Sequence, residues 1–267
     1  MKTQKLVPFI ALLAVVSFFS SKESLRKNDV ITENEIKIKE LRDSIVSYNL
    51  KEVYVKNKLD SIKIEELKVC EVIKSNIEPY NPDVKIETVQ NFVNTMSHFK
   101  IGSNEKDFKT LLSQLLYESG FQQYYSSRHP TKAGQLVVSH SNAIGLCQIV
   151  PNTAYLYLRI AKNKGQLDEL KDLGCDNLEI VNGFNHYLPN DKQREIVTKW
   201  LTSEKNNIIL WGYIMNEILL EEGDYSSTLV AYNAGSGYLN KYLKNGNDPN
   251  VFDYVVKIKS ISKKIFV

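Results

Sequence analysis

The chain has little cysteine and little net charge. Its 267 residues include 3 cysteines and carry a formal charge of +3. Cys70, Cys147 and Cys175 are odd in number and far apart, which excludes a disulfide framework and the paired spacing of a zinc site. Cys147 reads as a small apolar core residue, and Cys70 can pair with Cys175 only if the fold brings them together. There is no glycine-rich phosphate loop, no CxxC pair and no HExxH, so we expect neither a metal nor a cofactor. A charge this mild does not describe a nucleic-acid binder, although basic surface suits an anionic polymer. His129 and His140 lack metal spacing and have no evident Ser or Asp partner. One further absence is local: no Asp or Glu occurs between Glu118 and Asp168.

At the N-terminus, Lys2 and Lys5 precede an apolar run from Leu6 to Phe19. This is the charged head and short apolar stretch of an export signal, and it is shorter than the roughly 20 residues that span a bilayer. Phe18 and Phe19 make a poor cleavage site, so residues 1–21 are expected to be a signal peptide or a retained membrane anchor. The plain alternative is a buried N-terminal helix of a cytosolic protein. Export places the protein in the periplasm or against the cell envelope.

From Lys22 to Ser75 there is no glycine or proline. Ile38, Leu41, Ile45, Tyr48, Val55, Leu59, Ile62, Val69 and Ile73 adopt heptad spacing, with Glu52 and Glu66 interrupting the seam. The stretch 22–78 therefore predicts a long helix or coiled coil of imperfect register. It serves either as a stalk or oligomerisation element over 31–73, or as a helix packed along the next domain. Pro79 and Pro82 mark a boundary. From Asp83 to the C-terminus, periodic apolar runs predict an all-helical domain with at most a small hairpin near Val137. Residues 165–205 are polar and read as an insertion at the rim of a cleft. Gln122, Gln123, Tyr124 and Tyr125 give the loop after Gly120 a character that suits sugar rings and hydroxyl groups.

The helix most relevant to chemistry carries Phe108, Leu111, Leu112, Leu115 and Leu116 on one face and closes at Glu118. Ser103 or Asn104 can cap its start, and Gly120 can form a left-handed stop. A carboxyl beside apolar side chains is desolvated, which raises its pKa from about 4.3 towards neutrality. That suits a general acid near pH 7. A helix-end Glu is more commonly an ordinary surface residue, and the company it keeps further along the chain decides between the two.

Three blocks occur in order: Glu118-Ser119-Gly120-Phe121; Ser141-Asn142-Ala143-Ile144-Gly145-Leu146-Cys147-Gln148-Ile149 running on to Ala154; and Ala231-Tyr232-Asn233-Ala234-Gly235. Together they resemble the soluble lytic transglycosylase family, whose fold is related to goose-type lysozyme. The likeness spans roughly residues 83–242. It implies a mainly α, lysozyme-like catalytic domain over 83–267, preceded by the long N-terminal helix or coiled coil. It implies Glu118 as the acid/base, with Ser119, Ser141, Gln148, Tyr232 and Asn233 as substrate-binding groups. Tyr232 is expected to hold Glu118 or the sugar. Two positions depart from the family: Cys147 stands where Met is usual, and Trp211 stands where Gly is common after Asn207, with Gly212 next in the chain.

The implied substrate is the glycan strand of peptidoglycan. Glycoside hydrolysis normally takes two carboxylates, and goose-type hydrolases draw the second from the stretch that is bare of acids here. The resemblance therefore implies a single-carboxylate route. The C6 hydroxyl of N-acetylmuramic acid attacks its own C1, a geometry with large effective molarity, and leaves a 1,6-anhydro end. The alternatives are a hydrolytic muramidase or chitinase with a carboxylate from 165–205, and an inactive wall-binding scaffold.

Overall fold

The computed structural model describes residues 64–265 continuously and, before them, positions 37, 39–42, 44, 48, 52 and 56. The chain divides into two compact units, Met1–Ile64 and Glu65–Val267. In the first unit the described positions are helical, with Leu41 and Tyr48 exposed. The apolar run expected to direct export, and most of the heptad seam, lie outside the described residues. No helix among the described residues is long and apolar enough to cross a membrane.

The second unit is mainly helical, as the periodicity predicts. It opens with α1 (residues 65–77) and continues with α2 (Ile86–His98) and α3 (Glu105–Ser119). Cys70, Ile73 and Ile77 recur at helical spacing on α1 and enter the same core as α2 and α3. The end of the expected stalk thus belongs to this unit, and the boundary lies near residue 65 rather than at the prolines. The turn at 78–83 is an internal corner, where the Asn81 side chain donates to the Phe121 carbonyl at 2.9 Å.

After the loop 120–150 come α4 (Pro151–Lys164), α5 (Leu167–Asp172), a 3-10 turn at Leu178–Gly183, and α6 (Asp191–Leu201). Next are α7 (Glu204–Glu222), α8 (Tyr225–Ala234), α9 (Ser236–Lys244), a 3-10 turn at Pro249–Val251, and α10 (Asp253–Ser262). No strand forms among the described residues. The loop holds only isolated antiparallel bridges, Tyr124 with Leu136, Val138 with Ile144, and Ile144 with Ile149.

The organising element is α7. Ile208, Leu210, Trp211, Tyr213 and Ile214 are all buried although they point in different directions, the mark of a helix enclosed on every side. It packs against α2, α4, α6 and α8. A Cβ on Gly212 would lie 2.1 Å from Thr95 Cγ2, so glycine is what lets α2 approach here. Trp211 instead packs against Phe92, the rings tilted by 30° with centroids 5.6 Å apart. The close helix contact is thus made at Gly212, with the Trp211 side chain beside it in the core.

Residues 165–205 are not a polar rim. Leu170, Cys175, Val181, Phe184, Val197, Trp200 and Leu201 are buried in the main core. The Trp200 indole donates to the Asp176 carbonyl at 2.6 Å. Their spacing hid this, because the first elements are short and bury one side chain each, Leu170 on α5 and Val181 on the 3-10 turn, while α6 buries Val197, Trp200 and Leu201. The 3 cysteines are all free thiols, so Cys70 and Cys175 do not pair.

Candidate active site

Glu118 is the last but one residue of α3. Asn104 caps the helix start by accepting from the Asp107 amide at 2.9 Å. Gly120 ends it at φ 68°, and its amide donates to the Leu116 carbonyl at 2.9 Å. A residue with a Cβ is disfavoured in that left-handed conformation, so the Ser-Gly pair fixes where the helix stops and where Glu118 points. Burial pushes the Glu118 carboxyl from 4.5 up to about 7, and a hydrogen bond from the Tyr254 hydroxyl opposes the rise. Tyr254 is itself buried, on α10, and packs edge-on against Tyr117 with centroids 5.4 Å apart.

The loop 144–149 forms the neighbouring wall, held by a side chain from each of three helices. Ser119 Oγ donates to the Leu146 carbonyl at 2.6 Å and accepts from the Gln122 amide at 3.0 Å. Asn207, on α7, accepts from the Cys147 amide at 2.9 Å and donates to the Ile144 carbonyl at 3.0 Å. Tyr232, on α8, donates to the Cys147 carbonyl at 2.7 Å. Beneath the loop, buried Gln123 accepts from the Leu146 amide at 2.9 Å and donates to the Leu201 carbonyl at 3.0 Å. A Cβ on Gly145, where φ is 73°, would lie 2.2 Å from Gln123 Oε1.

These contacts revise several expected roles. Ser119 and Tyr232 spend their hydroxyls on backbone carbonyls of the loop, and it is Tyr254, not Tyr232, that reaches Glu118. Gln123 is an internal brace and not a sugar-facing group. Gln148 has φ 53° and donates from Nε2 to the Gly145 carbonyl at 2.7 Å, which holds a non-glycine residue in a left-handed conformation. Asn233 has an exposed side chain at the end of α8. Ser141 lies on an exposed turn, its hydroxyl 2.9 Å from that of Ser139. His129 accepts from the amides of Thr131 and Lys132 at 3.3 and 3.0 Å and so shapes its own turn.

Cys147 is fully buried, as expected of a core residue. Burial, then the charges of Glu118 and Glu204, push its thiol well up. Burial pushes the Tyr232 phenol up as well, with Cys147 and Glu118 adding to it. Glu118 therefore sits among neutral groups: Cys147, Tyr232 and Tyr254. Its position departs from the ordinary carboxyl range through desolvation, without a second carboxylate contributing. Two groups escaped the sequence reading, Tyr254 and the Asn207 side chain. Tyr254 falls on the inward face of the closing amphipathic helix, which was the available signal.

No protein-family model, curated protein or solved structure matches this chain.

Proposed function

We propose that the protein is a lytic transglycosylase of lysozyme-like fold that cleaves the β-1,4 bond between N-acetylmuramic acid and N-acetylglucosamine in peptidoglycan. The reading rests on one observation: a largely buried carboxyl raised to about 7 whose hydrogen-bond donor is the neutral phenol of Tyr254. Such a group is protonated or ionised with nearly equal ease near neutrality, which suits a residue that must first give and then take a proton. Glu118 donates to the leaving glycosidic oxygen. The carboxylate then removes a proton from the C6 hydroxyl of the muramic acid as that oxygen bonds to C1. The glycosidic C–O bond breaks, the anhydro C–O bond forms, and Glu118 ends protonated. Water is not consumed.

Support for the single-carboxylate route comes from the surroundings. Desolvation and Tyr254 account for the shift of Glu118, whereas a paired hydrolase carboxylate at a few ångströms would raise it further by like-charge repulsion. The carboxylates of 165–205 sit on a segment whose apolar side chains are anchored in the core. Gln148 and Asn233, on the loop and at the end of α8, are the groups offered to acetamido or hydroxyl groups. Ser119 and Tyr232 act by holding the wall. Export to the envelope, with the N-terminal segment as signal or anchor, belongs to the same proposal.

The experiment is digestion of purified sacculi with the full-length protein and with Glu118→Gln. Release of soluble muropeptides by the first and its loss in the second is expected. Equal release by both would remove Glu118 from the chemistry. No release by the unaltered protein on intact or peptide-trimmed sacculi would favour a wall-binding scaffold.

A further inference from the structure

Three aromatic rings gather between α9 and the residue that precedes α10. Tyr238 and Tyr242 stand one turn apart on α9 and stack, with centroids 5.9 Å apart and rings inclined by 24°. Phe252 meets both, at 5.9 and 5.6 Å, and is packed against the main core. Tyr242 is partly buried, and its hydroxyl donates to the Asp248 carbonyl at 3.5 Å. Tyr238 is the most open of the three, with 47% of its surface exposed. A tyrosine pair at i, i+4 supports its own helix, and a single exposed tyrosine is ordinary. Neither accounts for the third ring. Leu239 already anchors α9 in the core. The rings add a flat surface outside that anchor, and contacts to two neighbours leave Tyr238 less rotamer freedom to lose on binding.

The rings adjoin the candidate site through the chain. Phe252 precedes Tyr254, the donor to Glu118, by two residues, which is at most about 7 Å of backbone. Gly235, at φ 89°, turns the chain from α8 into α9. It thus sets Tyr238 just beyond Asn233, the exposed amide at the end of α8. The rest of the exposed surface of α9 is polar and basic: Asn240, Lys241 and Lys244 are exposed, and the helix carries no acid. That surface suits an anionic strand.

A pyranose with equatorial substituents presents its axial C–H groups as an apolar face and keeps its hydroxyls at the rim. Such a face lies flat on the electron-rich face of a phenol, while the rim reaches polar side chains. We propose that Tyr238, seated on Tyr242 and Phe252, is a sugar-stacking site: it takes one pyranose ring of a β-1,4-linked N-acetylhexosamine strand and so helps to hold the strand that Glu118 cuts. The choice of sugar rests on the proposed function.

Calorimetric binding of chitohexaose, a soluble β-1,4-linked oligomer of N-acetylglucosamine, to full-length Glu118→Gln tests this in a background expected not to cleave it. Adding Tyr238→Ala should weaken binding about tenfold or more, as truncation of an aromatic anchor does. Tyr238→Phe, which keeps the ring, should bind like the parent. Tyr238→Leu should stay weak, because it supplies apolar area without a flat face. Unchanged affinity in Tyr238→Ala, recovery by Leu equal to that by Phe, or no binding by the parent at millimolar oligomer would overturn the proposal. If the Ala and Leu variants do not fold, the parent's Tyr238 ring proton signals, assigned by their loss in Tyr238→Phe, decide: they should shift on adding the oligomer, and unmoved signals would overturn it. Sacculus digestion by the unaltered protein is scored separately. Muropeptide release with no effect of Tyr238→Ala on binding would remove the stacking site and keep the proposed function. Tyr238-dependent binding without release would keep the site and remove that function.

Discussion

The hydroxyl of Tyr254 donates a hydrogen bond to Oε1 of Glu118 across 136 positions of sequence. This contact joins the Glu118-Ser119-Gly120-Phe121 block to the closing helix, and α10 packs directly along α3 to make it. Tyr232, 22 positions earlier by the same numbering, is turned to the Cys147 carbonyl instead. Two tyrosines thus divide the work, one on the carboxyl and one on the wall beside it.

That division has a kinetic consequence. The step that needs protonated Glu118 should fail as pH rises through its pKa near 7. Tyr254→Phe removes a bond that lowers this pKa, so the alkaline limb of kcat/KM should move to higher pH. Tyr232→Phe should leave the limb in place and cost about 1 kcal/mol of stability, the usual net worth of one hydrogen bond. A pH–rate series on both variants checks this, and a shift caused by Tyr232→Phe alone would reverse the assignment.

Glu118 should also weaken the fold at alkaline pH. Its carboxyl titrates near 7 when folded, against 4.5 ordinarily. Between those values the native state binds more protons than the unfolded state, so stability falls as pH rises through the window. Below the window there is no loss, and above it the loss is about 3 kcal/mol. Glu118→Gln carries no charge at any pH. Its urea midpoint should exceed that of the unaltered protein at pH 8 and converge with it by pH 4; a constant difference would mean that the carboxyl is not desolvated.

Asn207→Leu should destabilise strongly. It leaves the buried Cys147 amide without its partner, at about 1–3 kcal/mol, and takes one of two donors from the Ile144 carbonyl, which keeps the Ile149 amide at 3.3 Å. The loop 144–149 should loosen, and sacculus digestion should fall even where the protein remains folded. Denaturant unfolding and faster amide exchange at Leu146 and Cys147 are the measurements, and unchanged exchange would show that other contacts hold the wall.

Trp200→Ala tests whether residues 165–205 are part of the core. Trp200 is buried and its indole is bonded to the Asp176 carbonyl, so truncation should cost about 3–5 kcal/mol. Removing 167–201 altogether should abolish folding. A soluble, cooperatively melting deletion variant would restore the reading of this segment as an accessory rim.

The helix that bears Glu118 was legible because its determinants are local: the Leu111/Leu115 periodicity, Asn104 at the start and Gly120 at the stop. The cap of α8 is just as local, with Asp224 accepting from the Ser226 and Ser227 amides. The roles of Gln123 and Asn207 were not legible. Both are amides whose partners are backbone groups, and sequence does not say which carbonyl a buried amide will find. Gln123 resembled a sugar-facing loop residue because its neighbours are polar and aromatic. Its burial comes from the way the loop folds over Leu201 and Leu146. Tyr254 was visible as one member of an apolar stripe, while its aim at Glu118 depends on how α10 crosses α3.

The mass of the sugar at the cleaved end tests the central claim most directly. Sacculi are digested with the full-length protein, and the released muropeptides are analysed by mass spectrometry without prior reduction. Single-carboxylate chemistry predicts 1,6-anhydro-N-acetylmuramic acid ends, lighter by one water than hydrolysed ends and inert to later borohydride. Release of reducing N-acetylmuramic acid ends would contradict the account and turn attention to a hydrolytic muramidase with a second carboxylate.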